Sequence, residues 1–157
     1  MALPPTDSDA PVSPWAVLDT NVVLDLWLFG DPRAARLRVA LASGVLRALV
    51  TAPMLAELAD VLERPFAAAW PVAPARVQNM LHACSHQVEE LVSNAARAPR
   101  CTDPDDQKFI DLAWSWPARW LVSRDRAVLK LARPARAHGL HIVTPEHWAA
   151  AAGQDAG

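Results

Sequence analysis

Four short apolar runs limit what this chain can fold into. Trp15–Leu18, Leu46–Val50, Trp120–Val122 and His141–Val143 are each only a few residues long and end at a polar residue or a turn. Such runs have the length and composition of buried strands and are too short for helices. Between them lie segments with helical spacing. Strands alternating with helices predict an α/β domain with a parallel sheet and helices on both faces.

The helical segments carry their own punctuation. From Asn21 to Leu28 only Asn21 and Asp25 are polar, which predicts a largely buried helix. Asp31-Pro32 supplies a cap and a first-turn proline for a helix that Gly44 stops after Ser43. Pro53–Leu62 is amphipathic, with Met54, Leu55, Leu58, Val61 and Leu62 on one stripe. After Pro65, Pro71 and Pro74, a longer helix is predicted through Val77, Met80, Leu81, Cys84, Val88, Leu91 and Val92. Asp103-Pro104 opens the next helix, which runs to about Ser115. Arg124–Ala132 reads as a short one, and Thr144-Pro145-Glu146 caps the last. The folded domain is expected over residues 15–150, with flexible tails at 1–14 and 151–157.

Composition removes several classes. With 157 residues, 52% hydrophobic and 20% charged, the chain is long and apolar enough for one self-sufficient core. No apolar run approaches the about twenty residues of a membrane span, so no membrane role is expected. The five glycines (Gly30, Gly44, Gly139, Gly153 and Gly157) build neither a dinucleotide fingerprint nor a P-loop. Cys84 and Cys101 make no ligand pair or disulfide framework, and the N-terminus has no basic segment followed by an apolar one. Both point to a reduced, cytoplasmic protein. A net charge of −2 gives no general argument for nucleic-acid binding, although clustered arginines would still permit it.

The chemistry is expected at the carboxyl ends of the strands, where open parallel sheets bind ligands. Asp19 ends the first strand and Asp125 follows Leu121-Val122-Ser123. If these strands are parallel neighbours, their carboxylates share one edge. Each acid also has a plain explanation as a helix cap or a first-turn acid favoured by the macrodipole. Glu57 stands about 100° from the centre of its helix's apolar stripe, on the flank of the core, whereas Asp60 and Glu63 lie nearer solvent. Asp106 falls about 40° and Asp105 about 60° from the buried face of Phe109, Ile110, Leu112 and Ala113, so either is a candidate. Asp111 points away. Four clustered carboxylates require a cation among them. An all-oxygen set suits Mg²⁺ or Mn²⁺, which polarise a phosphodiester and activate water.

In this setting the ordered segments Val17-Leu18-Asp19-Thr20-Asn21-Val22, Pro53-Met54-Leu55-Ala56-Glu57-Leu58, Asp103-Pro104-Asp105-Asp106-Gln107-Lys108-Phe109, Leu121-Val122-Ser123-Arg124-Asp125 and Ile142-Val143-Thr144-Pro145 resemble the PIN-domain family. The closest resemblance is to the branch described as toxin components of bacterial toxin–antitoxin systems. It extends from about Trp15 to Trp148. It implies a Rossmann-like α/β/α sandwich with a mostly parallel sheet, and Mg²⁺- or Mn²⁺-dependent cleavage of single-stranded RNA. Carried over residue by residue, it makes Asp19, Glu57, Asp106 and Asp125 the catalytic metal ligands. Asn21 and Ser123 match small polar residues that orient the acids and the water. Arg124 stands where glycine is frequent, beside Asp125, and is expected with Arg126 to meet the substrate. The implied partners are an RNA substrate, a small antitoxin protein and a second copy in a homodimer.

The rival readings are a catalytically silent PIN-like binding module, a structure-specific DNA nuclease and an aspartyl phosphatase. The phosphatase needs a second Asp two residues after its nucleophile, where this chain has Asn21. His82 and His86 have the spacing of a metal pair on a helix but are expected to face solvent without a third ligand. The tryptophans, including Trp114, Trp116 and Trp120, are expected to pack the core rather than stack on bases. Asp25 is expected to cap or pair locally.

Overall fold

The computed structural model describes residues 14–89, 97–116 and 118–155. Five short strands form one sheet: β1 (Trp15–Leu18), β2 (Arg47–Val50), β3 (Ser85–Gln87), β4 (Trp120–Val122) and β5 (His141–Val143). Their order is β3-β2-β1-β4-β5 and every neighbouring pair is parallel. The chain winds outward from β1 through β2 to β3, then crosses back to lay β4 on the other side of β1. That reversal opens a crevice at the carboxyl ends of β1 and β4.

The flanking helices are α1 (Thr20–Trp27), α2 (Ala35–Ser43), α3 (Ala52–Leu62), α4 (Pro65–Ala68), α5 (Pro74–Ala83), α6 (Gln107–Ser115), α7 (Arg126–Leu129), α8 (Ala132–Ala137) and α9 (Pro145–Asp155). Their ends follow the predicted chemistry. Asp31 caps a 3₁₀ turn that leads into α2, and Gly44 ends that helix at φ 82°, a backbone region open to glycine. The Thr144 hydroxyl accepts the His147 N–H at 3.2 Å in the first turn of α9. The α/β class and the strand–helix alternation are as the sequence predicts.

Several segments differ from the sequence reading: α4 and most of α8 lie where no helix is predicted, and the helix expected over Arg124–Ala132 is only Arg126–Leu129. The long helix predicted from Val77 through Val92 stops at Ala83, and Ser85–Gln87 turns into β3, paired with β2 through Leu49 and His86. His82 and His86 therefore share no helical face. His82 is exposed, while the His86 ring lies between Trp15 and Trp116, at 5.8 and 5.6 Å. Leu91 and Val92 lie outside the described residues, as does the tail expected at 1–14 apart from Pro14. At the other end α9 runs on past residue 150 to Asp155.

One continuous core fills the space between sheet and helices. The α6 side chains Phe109, Ile110 and Leu112 are buried, and α6 packs on β1 and β4. Burial of each such side chain stabilises the fold by about 1.5–3 kcal/mol. Trp15, Trp116, Trp120 and Trp148 are buried, and Trp114 stacks on His138 at 3.8 Å. Among the described residues, no helix is long and apolar enough to cross a membrane.

Candidate metal centre

Strand register builds the site. Leu18 pairs with Val122, and the Asp19 N–H donates to the Val122 carbonyl at 3.1 Å. The residues that follow, Asp19 and Ser123, are thereby brought together. The Ser123 hydroxyl donates to Asp19 Oδ2 and accepts the Asp125 N–H at 3.0 Å. Ser123 is wholly buried, so this one side chain fixes both acids. Asp19 Oδ1 accepts the Val22 N–H at 3.0 Å to cap α1, and Asp125 Oδ1 accepts the Ala127 N–H at 2.8 Å to cap α7. Capping and a site role coexist here, because each carboxylate commits one oxygen to a helix N-terminus.

The third side of the site is a 3₁₀ turn, Pro104–Asp106, which Asp103 caps by accepting the Asp105 N–H at 3.0 Å. The helix proper starts only at Gln107, so an α-helical wheel does not describe these acids. Asp105 is exposed, whereas Asp106 is partly buried. Asp103, Asp106 and Asp125 bring carboxylate oxygens within 4.8 Å of one another. The sequence reading treats Asp103 only as a helix opener, and the acid-rich run itself was the signal for more. Gln107 fixes this turn by accepting the Cys101 N–H at 2.7 Å and donating to the Pro99 carbonyl at 3.0 Å. It also donates to Asp111 at 2.9 Å, so Asp111 is half-buried and partnered.

Glu57 approaches from α3, half-buried as its helical position predicts. One of its oxygens accepts the Thr20 hydroxyl and the other lies 2.7 Å from Lys108 Nζ. Thr20 and Lys108 both stand in the motif segments, but the sequence gives neither a role of its own. Asn21 is exposed on the first turn of α1, and its backbone N–H helps hold Asp19. Arg124 does not turn toward the acids. Its Nε donates to Asp25 at 2.7 Å and its Nη1 to Glu146 at 2.8 Å, while Nη2 is buried. Asp25 thus pairs across the fold and not locally.

Electrostatics mark the acids as short of positive charge. Burial raises the Asp19 carboxyl from its ordinary 3.8 to about 6, although the Ser123 hydroxyl and the Val22 N–H pull the other way. Burial, then the adjoining Asp125 carboxyl, raises Asp106 from 3.8 to about 7. Asp106 Oδ2 is buried with no hydrogen-bond donor, the one carboxylate oxygen so placed among the described residues. A hard divalent cation would satisfy that oxygen, and an all-carboxylate donor set suits Mg²⁺ or Mn²⁺. The residues fit such an ion.

The sequence profile of the PIN domain matches residues 15–127, from β1 through the start of α7. The chain belongs to the PIN-domain family. PIN domains are in general nucleases, which are hydrolases, and they use divalent metals. In fold, this PIN domain is similar to a chain in the crystal structure of VapBC2 from Rickettsia felis bound to a DNA fragment from their promoter. The TM-score is 0.54 at 13% identity, over 82% of this chain and 96% of that one. No curated protein matches the sequence.

The PIN domain's dependence on Ser123 is directly measurable. Ser123→Ala removes the hydroxyl that links Asp19 to Asp125, and Mn²⁺ affinity is expected to fall about 10–100-fold, as for other groups that orient metal ligands. Calorimetric titration reads this, and an unchanged affinity would remove Ser123 from the site.

Proposed function

We propose that this PIN domain is a Mg²⁺- or Mn²⁺-dependent endoribonuclease acting on single-stranded RNA in the cytoplasm, and the toxin of a bacterial type II toxin–antitoxin pair. The observation that carries the reading is the buried, donorless Asp106 Oδ2 beside Asp125. An acid in that position has no structural purpose that a neutral side chain would not serve better. It has one in a site that receives a cation.

In this reading Asp106 and Asp125 hold the ion, with Asp19 and Asp103 beside them and Glu57 facing them from α3. The ion would supply Lewis-acid polarisation of the phosphodiester and water activated near neutral pH. The chain's own residues supply position. Ser123 keeps Asp19 and Asp125 in fixed orientation, and the caps on α1 and α7 prevent either acid from swinging away. The fold likeness to a chain of VapBC2 supports the toxin assignment, as does the resemblance of the motifs. A small antitoxin and a second copy of the chain are the partners it implies.

The test is cleavage of an end-labelled single-stranded RNA by the full chain, beside single-stranded and duplex DNA, with Mg²⁺, with Mn²⁺ and with EDTA. Metal-dependent cutting of the RNA, leaving a 5′-phosphate and a 3′-hydroxyl and lost in Asp19→Ala, is the expected result. Cutting that persists in EDTA, or confined to DNA, contradicts the proposal.

A further inference from the structure

Away from the acids, α2 and α9 enclose an open apolar groove of about 480 Å³, lined among others by Arg36, Val39, Ala40, Val45, Trp148 and Ala152. Arg36, Val39 and Ala40 share one face of α2, and Val45 extends that face into the turn before β2. Val39 is 67% exposed and Val45 63%, the two most exposed large apolar side chains among the described residues. Two such residues in one concave face mark a binding surface and not the scattered apolar exposure of an ordinary surface. Arg36 is the one charged residue in the lining. It is exposed and forms no ion pair among the described residues.

The chain enters the fold beside one end of this groove. The Arg47 N–H donates to the Pro14 carbonyl at 3.1 Å, and Val45 stands two residues before Arg47. The sequence leading into Pro14 matches the groove in order and in charge. Read back from Pro14 it offers Val12, Pro11 and Ala10, then Asp9 and Asp7, and residues 1–13 contain no Lys or Arg. Read from the same end, the groove offers Val45 and Val39, then Arg36. Asp9 and Asp7 lie five and seven positions before Pro14, a reach of about 16–23 Å in extended chain, enough to follow α2 back to Arg36. Pro11 and Pro14 also disfavour helical backbone at the residues before them, which lowers the entropy cost of laying this stretch out straight.

We propose that residues 7–12 of this same chain occupy the α2–α9 groove, with Val12 against Val45 and Val39 and the Asp7 and Asp9 carboxylates at Arg36. The groove is then closed in cis, and a second copy of the chain or another protein meets it only by displacing the segment. One wall, α9, carries Glu146, which pairs with Arg124 beside Asp125. The segment therefore packs on the helix that braces the loop of the metal centre.

The experiment is nuclear magnetic resonance of the full chain with ¹³C-labelled valine methyl groups. Nuclear Overhauser contacts from Val12 to Val39 and Val45 are expected, and none of them in an isotope-filtered spectrum of labelled and unlabelled chains mixed. Val12→Asp is expected to lose these contacts and to shift the Val39 and Val45 resonances. The buried Val17 and Val122 should stay in place, which shows that the variant is folded. Arg36→Glu sets a like charge beside Asp7 and Asp9 and is expected to weaken the same contacts. Contacts found only between copies would make the groove a dimer interface and overturn the proposal. No contact from Val12, with Val39 and Val45 unmoved by Val12→Asp, would leave the groove to a different partner and overturn it as well.

Discussion

Asp106→Asn is expected to abolish cleavage and, with metal withheld at pH 8, to melt at a higher temperature than the wild type. The activity loss should reach at least about a thousandfold, as removal of a group that acts on the developing charge does. The gain in stability follows from proton linkage. Asp106 titrates near 7 in the folded protein against an ordinary 3.8. Between those values the folded state holds a proton that the unfolded state has released, so this group lowers stability as pH rises through that window. Above about pH 7 the full penalty is present; below about pH 4 it is gone. Asp19, titrating near 6, contributes with the same sign.

Asparagine carries no charge to desolvate, and its amide can donate to Asp125. Because Asp106 is only partly buried, solvent screens much of the effect, and a rise of about 2–4 °C, or about 1 kcal/mol, is expected at pH 8 in EDTA. At pH 4 the two proteins should melt together. Mg²⁺ should raise the midpoint of the wild type and leave that of the variant unmoved. Calorimetric melts at the two pH values, with and without EDTA, check all of this. A variant that melts below the wild type at pH 8 in EDTA contradicts the account of Asp106.

Arg124→Met carries the second large effect, on stability. The Arg124 guanidinium joins Asp25 on α1 and Glu146 on α9 to the loop that bears Ser123 and Asp125. The Asp25 side chain is only 11% exposed, so methionine would strand a nearly buried carboxylate. Breaking such a pair from one side costs about 2–4 kcal/mol, which corresponds to a fall in melting temperature of about 5–12 °C for a chain of this size. The loss comes mainly from the carboxylate left behind, so adding Asp25→Leu should recover most of it. A single variant that melts within about 2 °C of the wild type would show that the network contributes little.

Arg124 also shows where the sequence stopped being informative. Beside Asp125, in a position where glycine is frequent, it reads as a substrate contact. Its partners lie 99 and 22 residues away, and no local pattern joins the three. Lys108 left a faint signal, a cation in the first turn of a helix where the dipole disfavours it, but naming Glu57 as its partner needs the fold that brings two residues 51 positions apart together. β3 left none. Three half-buried residues, Ser85, His86 and Gln87, have neither an apolar run nor an alternation to distinguish them. They become a strand because β2 offers its free edge, and the helical stripe resumes beyond them, at Val88, by coincidence.

The residues that were legible share a physical reason. β1 and β4 are buried on both faces, so their apolar runs are unbroken until the residue that leaves the sheet. Asp19 and Asp125 could be read at the ends of those runs because burial sets where a polar side chain is first allowed. The choice between Asp105 and Asp106 could not be read from spacing, because the 3₁₀ turn winds more tightly than the α-helix assumed for it.

The central claim, that Asp106 and Asp125 receive a divalent ion, is tested most directly by manganese anomalous scattering from crystals grown with MnCl₂. The account predicts one peak between the Asp106 and Asp125 carboxylates, within about 2.3 Å of an oxygen of each. A peak remote from both carboxylates, or none at the acids in crystals soaked well above the dissociation constant, would contradict it.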